Sequence, residues 1–172
     1  LGIYAWTLQG VQGAVMTMLA HGLSAAALFM LAGGLQHRIH TRQMDEMGGL
    51  WAAAPKMGFM ALFFTVAAVG MPGLGNFIGE FLVLLGSFRI SAAAAAAAAI
   101  GMVVAAVYSL IVIQKVFHGE NTHKLEVKDL TTVEMICFGM MMIGLLWMGL
   151  YPQSMLDMSE PTLRSLGVLF FE

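Results

Sequence analysis

Two ionisable residues interrupt long apolar stretches of this sequence, and both side chains could carry protons. Glu80 is the single ionisable residue in segment 58–88, and His21 is the single one in segment 11–35. A carboxyl group at membrane depth normally faces protein or water, where it can take up and release a proton. An imidazole can relay a proton because its two nitrogens exchange donor and acceptor roles. We interpret Glu80 and His21 as candidates for a proton path; the alternative for each is a hydrogen bond that only joins helices.

The residues just before Glu80 interrupt helices. A continuous helix over 58–88 would be about 46 Å long at ~1.5 Å per residue, whereas the hydrocarbon core of a bilayer is only ~30 Å thick. Proline donates no backbone hydrogen bond, and glycine adds conformational freedom. The sequence therefore predicts two half-helices joined by an irregular stretch over 70–76, with a simple proline kink as the alternative. The predicted helix-break residues are Pro72, Gly73, Gly75 and Asn76.

The composition requires a membrane protein. Hydrophobic residues make up 59% of the 172 residues and charged residues 10%, which excludes a soluble globular domain and a disordered chain. Four apolar runs reach the ~20 residues of a spanning helix, and they are continuous rather than alternating. They cover 11–35, 58–88, 92–117 and 133–150. We therefore predict an all-α polytopic membrane protein with four transmembrane helices, of which the second is discontinuous, followed by a tail, 153–172, with a short interfacial segment.

The charged residues predict the topology and exclude several functions. Six basic residues lie in or beside the first and third loops, against two on the other side, so the positive-inside rule places those loops in the cytoplasm. A net charge of −2 and one cysteine give no case for nucleic-acid binding, disulfides or a thiol metal site. We predict no catalytic, cofactor-binding or metal-binding residue. The six basic residues are Arg38, Arg42, Lys56, Lys115, Lys124 and Lys128, and the other two are Arg89 and Arg164.

Three motifs, in this order and spacing, resemble one family. They are 20–29 (AHGLSAAALF), 40–42 (HTR) followed by 47–51 (MGGLW), and 70–81 (GMPGLGNFIGEF). Together they resemble the chain M (chain 4) family, the antiporter-like membrane subunits of proton-pumping NADH:quinone oxidoreductase, respiratory complex I. The resemblance extends from about Gly10 to Pro152.

The resemblance implies how this sequence fits a longer chain. The family has fourteen transmembrane helices in two inverted repeats, so residues 1–152 would be its C-terminal transmembrane module. The start at Leu1, with no signal peptide after it, also favours a portion of a larger membrane protein. Histidine at the His21 position and glutamate at the Glu80 position belong to the family's proton path. The related antiporter-like chains usually have lysine where Glu80 stands, which favours chain M.

The expected function is proton translocation as a non-redox subunit of NADH:quinone oxidoreductase. The chain itself would hold no cofactor, and electron transfer would take place in other subunits. Its expected partners are the other membrane subunits, especially neighbouring antiporter-like chains, together with the lipid bilayer. The expected location is the bacterial inner membrane rather than an organellar one. The alternatives are a subunit of a multisubunit sodium/proton antiporter or membrane-bound hydrogenase, and a scaffold that transports nothing.

Overall fold

The structure, a computed structural model, describes residues 1–122 and 125–167. Within these residues all regular secondary structure is helical, which confirms the predicted all-α fold. Two short 3-10 turns, Ile3–Ala5 and Met44–Glu46, accompany the α-helices. The α-helices are α1 (Leu8–Ile39), α2 (Leu50–Ala53), α3 (Pro55–Ala68), α4 (Gly75–Phe88), α5 (Ala92–Phe117), α6 (Thr132–Leu150) and α7 (Gln153–Gly167).

Helices α1, α5 and α6 are the first, third and fourth predicted spans. Each is apolar and long enough to cross a membrane, with 32, 26 and 19 residues respectively. At ~1.5 Å per residue they are about 48, 39 and 28 Å long, against a hydrocarbon core of ~30 Å. The run of alanines at 92–99 forms the first turns of α5, which begins where Ser91 Oγ accepts a hydrogen bond from Ala94 N–H at 3.3 Å. Alanine is the residue that favours helix most, so the run suits this position.

The second predicted span is divided into α3 and α4, as expected for a discontinuous helix. Each has 14 residues and is therefore about 21 Å long, too short to cross the hydrocarbon core alone. Helix α3 ends at Ala68, and the chain then turns through Gly70 and Gly73, whose φ angles are 76° and 93°. Such positive values favour glycine, because a Cβ atom would crowd the backbone there.

The interruption is shorter than the stretch predicted from the sequence. Pro72 lies between the two helices, but Gly75 and Asn76 already belong to the first turn of α4. Leu74 is the extended residue that precedes α4, with φ −115° and ψ 154°. Once the chain has passed Pro72 and Gly73 and extended at Leu74, nothing prevents helix formation, so the irregular backbone stops at residue 74.

Glycines let α1 and α4 approach closely. A Cβ atom added at Gly79 would lie 2.7 Å from Thr17 N, and one added at Gly86 would lie 2.5 Å from Gly10 N. Real Cβ atoms do not come this near to backbone nitrogen, so glycine is required at both positions. This agrees with small residues at close helix contacts in membranes. Gly22, another small residue of α1, instead faces open space within the described chain.

The first and third loops lie together, as the predicted topology requires. Gly49 N–H donates a hydrogen bond to His118 O at 2.9 Å, and the rings of Trp51 and His118 stack with centroids 5.5 Å apart. Lys115, at the end of α5, pairs with Asp45 at 3.3 Å. Lys124, which contributed to the charge count of the third loop, lies outside the described residues, as does His123.

The tail, for which a short interfacial segment is predicted, forms α7, which begins at Gln153 and contacts α1. The helix runs through Pro161. Helix α7 packs against α1, and tertiary packing of this kind stabilises a helix in spite of an internal proline. Residues 168–172, the last part of the tail, lie outside the described residues.

Candidate functional site at the broken helix

The carboxyl group of Glu80 lies against the break between α3 and α4. Oxygen Oε2 of Glu80 occupies the space next to Gly70, so a Cβ atom on residue 70 would collide with it. Oε2 is buried, and it has no hydrogen-bond partner among the described residues. The left-handed turn at Gly70 therefore has two effects: it ends α3, and it leaves room for an acidic side chain.

A cavity of about 290 Å³ lies beside Glu80. On the α1 side it is lined by Ala14, Thr17 and Met18, and on the α4 side by Glu80 and Val83. The N-terminal residues 1–3 complete the lining. A cavity needs only ~10–15 Å³ of probe-occupied volume to hold one water molecule, so there is room for several beside residue Glu80.

The structure does not bring His21 to this cavity. On α1, the buried residues Ala20 and Ser24 lie on the side that meets α4, and both have 0% exposure. Residues 14, 17, 18 and 21 lie at helical spacing along one face of α1, so His21 follows the cavity lining by one helical turn. Its side chain is exposed within the described chain and does not line the cavity.

A buried polar pair between α1 and α4 was not anticipated from the sequence. Asn76 Nδ2 donates a hydrogen bond to Ser24 Oγ at 3.0 Å, and the exposed fractions of the two residues are 1% and 0%. Ser24 Oγ in turn donates to the backbone oxygen of His21 at 3.3 Å. In the sequence, Ser24 stands among alanines and is typical of a small packing residue, and Asn76 is predicted to belong to the break. The sequence carries no sign that the two residues meet, so the pair becomes visible only where α1 and α4 cross.

Charged side chains join the helix ends on the loop side. Arg38, at the end of α1, contacts both carboxylate oxygens of Glu134, at the start of α6. Thr131 and Glu134 also form a capping box that begins α6. The spacing Thr131-x-x-Glu134 is a sequence signature of this motif, but its Arg38 partner lies 96 residues away and carries no such signal.

These features define a class of protein. The chain has several helices long enough to span a bilayer, and one of its spans is broken at mid-length with a carboxyl group at the break. This architecture is typical of membrane transporters built on discontinuous helices. A family described as "NADH:quinone oxidoreductase/Mrp antiporter, TM" matches residues 1–109, which is more than half of the chain. The chain belongs to this family, and the resemblance predicted from the sequence is confirmed.

Curated relatives match almost the whole chain. NADH-quinone oxidoreductase subunit M of Pseudomonas aeruginosa is 42% identical over 164 residues, which is 95% of this chain and 32% of the relative. Subunit M of Escherichia coli K12 is 40% identical, over 99% of this chain and 34% of the relative. NADH-ubiquinone oxidoreductase chain 4 of Marchantia polymorpha is 36% identical, over 96% and 34% respectively. This chain thus spans about a third of the length of these relatives.

A solved structure shares the fold. It is respiratory complex I from Thermus thermophilus with bound NADH, in which one chain is 34% identical to this one. The similarity covers 98% of this chain and 36% of that chain, with a TM-score of 0.92. The arrangement of helices described above is therefore shared with part of one chain of that complex.

Proposed function

We propose that this chain carries a proton-translocating site of an antiporter-like subunit of NADH:quinone oxidoreductase. One observation carries the proposal: the Glu80 carboxyl group is held beside the break between α3 and α4, with Oε2 buried and no partner within the described chain. An acidic side chain is rarely kept at membrane depth unless it is functional. The similarity to subunit M of two bacteria supports the same reading.

In this mechanism Glu80 loads and releases a proton. A proton arriving through water in the cavity beside Thr17 and Met18 binds the carboxylate and neutralises it. The proton then leaves along α4 toward Arg89, a distance of about 10–14 Å at ~1.5 Å per residue. A change of charge in neighbouring subunits would drive the cycle, because it alters the proton affinity of Glu80.

His21 would belong to the same proton path without exchanging a proton directly with Glu80. Its side chain is exposed on α1 in the described chain, one helical turn beyond the lining of the Glu80 cavity. A proton moving between the two residues would therefore pass through water or through side chains that lie outside this stretch. This arrangement makes His21 a contact to another part of the path rather than a direct donor to Glu80.

The proposed setting is the inner membrane of a bacterium, with the first and third loops in the cytoplasm. The other membrane subunits of NADH:quinone oxidoreductase, in particular antiporter-like chains, would be its partners, and quinone reduction would take place in other subunits. The bacterial relatives support this location, and the basic residues of the two loops support the orientation. On this proposal the chain acts as a translocase component and carries out no redox step.

The family description also includes Mrp antiporters, so sodium/proton exchange is the second candidate function. The two candidates differ in the driving force. A respiratory subunit would move protons when NADH is oxidised, with no sodium requirement. An antiporter subunit would move protons in response to a sodium gradient in the absence of NADH.

Glu80→Gln in the full-length subunit tests the proposal. We expect the enzyme to assemble, while NADH-driven acidification of inverted membrane vesicles falls at least about tenfold, because a positioned proton-transfer group contributes ~10²–10⁴ in rate. Glu126→Gln, in the exposed third loop, is the matched control and should pump normally. Normal pumping by Glu80→Gln would eliminate the relay and leave the scaffold role.

A further inference from the structure

Three buried side-chain oxygen atoms on α4 lack a hydrogen-bond partner among the described residues: Oδ1 of Asn76, Oε2 of Glu80 and Oγ of Ser87. The first two are one helical turn apart, whereas Ser87 lies about two turns further along the helix. Buried polar atoms in folded proteins are almost always hydrogen-bonded to protein or to ordered water, so each of these atoms requires an explanation. Asn76 is already buried between α1 and α4, with 1% of its surface exposed. A lipid or a neighbouring chain cannot reach it from outside.

The hydrogen bonds of Ser24 fix which way the Asn76 amide points. Ser24 Oγ donates its one hydrogen to the backbone oxygen of His21. Toward Asn76 it can therefore only accept, so Nδ2 must face Ser24 and Oδ1 must face away. In this arrangement the unpartnered atom of Asn76 is its oxygen, which is an acceptor.

The two orphan acceptors are one helical turn apart on the same face of α4. Side chains four residues apart in a helix have Cβ atoms about 5–6 Å from each other. Helical side chains also lean toward the N-terminus, which brings the Glu80 carboxyl group toward the turn that holds Asn76. A molecule that donates two hydrogen bonds of ~2.8 Å can span such a gap, whereas two acceptors cannot bond each other.

We propose that Asn76 and Glu80 share one internal water molecule. Ser24 positions this water indirectly, because its hydrogen bond orients the Asn76 amide. This inference rests on the proposed function of Glu80 and extends it, because it makes Asn76 a positioning residue for the proton-carrying group. The water donates one hydrogen to Asn76 Oδ1 and the other to the carboxylate oxygen of Glu80. It thereby joins α1, α4 and the break in one hydrogen-bonded chain.

The shared water changes its bonding with the protonation of Glu80. When Glu80 is ionised, both hydrogens of the water are donated, one to each orphan oxygen. When Glu80 takes up a proton, its O–H donates to the water oxygen, and the water still donates to Asn76 Oδ1. Asn76 neither gains nor loses a proton in either state. Its effect is to stabilise the water in the position from which it faces Glu80.

Two measurements on the full-length enzyme test this inference. In a structure that resolves water, we expect a peak within ~3 Å of both Asn76 Oδ1 and the Glu80 carboxyl group, present also in sodium-free buffer. In infrared difference spectra, the carboxyl band that disappears in Glu80→Gln should shift in Asn76→Leu. Ser87→Ala, which removes another buried polar group of α4, is the control and should leave the band unchanged.

Ser24 provides a second, milder test should Asn76→Leu fail to assemble. In Ser24→Ala the amide is free to turn, so the same band should shift or split, and Ser24→Thr should restore it by restoring the hydroxyl group. A protein donor on Asn76 Oδ1, a peak that vanishes without sodium, or an unshifted band in both variants would overturn the inference. Those results would leave the role of Glu80 intact, because that role depends on the pumping of Glu80→Gln alone.

Discussion

Nη2 of Arg38 donates a hydrogen bond to each carboxylate oxygen of Glu134, at 2.9 Å in both cases, and so ties the end of α1 to the start of α6. Thr131 completes the contact, since its N–H and hydroxyl group both donate to Glu134 Oε2, at 2.7 and 2.8 Å. The side chains of Arg38 and Glu134 are only 15% and 32% exposed. Geometry and partial burial distinguish this pair from the exposed pair of Lys115 and Asp45, whose side chains are 50% and 90% exposed.

Loss of the Glu134 carboxylate should destabilise the loop side of the molecule. Glu134→Ala removes both the ion pair and the capping box, so we expect it to cost about 2–3 kcal/mol of unfolding free energy. Glu134→Gln keeps an oxygen that can accept from Thr131 and should cost less. The measurement is denaturant unfolding of the full-length subunit in detergent.

Asp45→Asn, which neutralises the exposed pair, is the control and should change stability by less than about 1 kcal/mol. A double-mutant cycle with Arg38→Met isolates the coupling between Arg38 and Glu134. A coupling energy no larger than that of the exposed pair would contradict the idea that partial burial and geometry make Arg38–Glu134 the stronger pair.

The close approach of α1 and α4 should depend on individual glycines. Gly79→Ala places a Cβ atom 2.7 Å from Thr17 N, where only a shift of the helix can relieve the contact. We expect a loss of about 1–3 kcal/mol, the usual cost of overpacking. Gly22→Ala meets nothing within 4 Å and should be neutral or slightly stabilising in a helix. Thermal unfolding of the two variants of the full-length subunit, measured side by side, provides the comparison; equal melting temperatures would refute a glycine-dependent contact.

Gly70→Ala should impair proton pumping through its contact with Glu80. The added methyl group would collide with Glu80 Oε2 and displace the carboxyl group from the break. Gly119 is the matched control, because it has a similar φ of 84° but nothing within 4 Å of an added Cβ atom. Both substitutions therefore place an alanine at a positive φ, which costs about 1–2 kcal/mol of stability. Only in Gly70→Ala does the added methyl group also collide with Glu80. NADH-driven acidification should fall in Gly70→Ala alone; an equal loss in Gly119→Ala would mean that backbone strain, not the carboxyl group, explains the effect.

The spans and the break could be predicted from the sequence because each depends on local chemistry. The apolar run 92–117 and the helix α5 have the same limits, since a long apolar segment has one stable form in a bilayer. A proline with glycines on both sides in the middle of a span, as in 70–75, favours an interruption, because proline removes a backbone donor and glycine adds conformational freedom. Glu80 stood out because an ionisable residue within an apolar run is rare.

The relations between distant residues could not be predicted. His21 and Glu80 share a bundle, yet the rotation of α1 decides which residues meet α4, and it selects Ala20 and Ser24 rather than His21. Several faces of α1 are apolar or small, so its sequence periodicity does not identify the face that packs. The extent of the break was also missed by two residues, because the helix restarts as soon as the backbone allows it.

The N-terminus of α3 is capped by a residue from a distant loop, and this contact supports the last prediction. Asp129 accepts hydrogen bonds from the backbone N–H groups of Lys56 and Met57, both at 3.0 Å, and from that of Leu130 at 2.8 Å. The local N-cap residue, Ala54, has no side chain that could accept such bonds. The first half of the broken helix therefore depends on the third loop for its start.

Asp129→Ala should cost about 1 kcal/mol, up to ~2, because it leaves two helix-terminal N–H groups without their partner. Asp129→Asn should cost less, since Oδ1 can still serve Met57 and Leu130 while the bond to Lys56 is lost. Lys128→Ala, at the exposed neighbouring position, is the control and should be neutral. Hydrogen exchange of the Lys56 and Met57 amides in the full-length subunit measures the effect directly. We expect faster exchange in Asp129→Ala than in Lys128→Ala, because the substitution removes the cap that protects these two amides from water. Equal exchange in both variants would show that the start of α3 does not depend on the third loop.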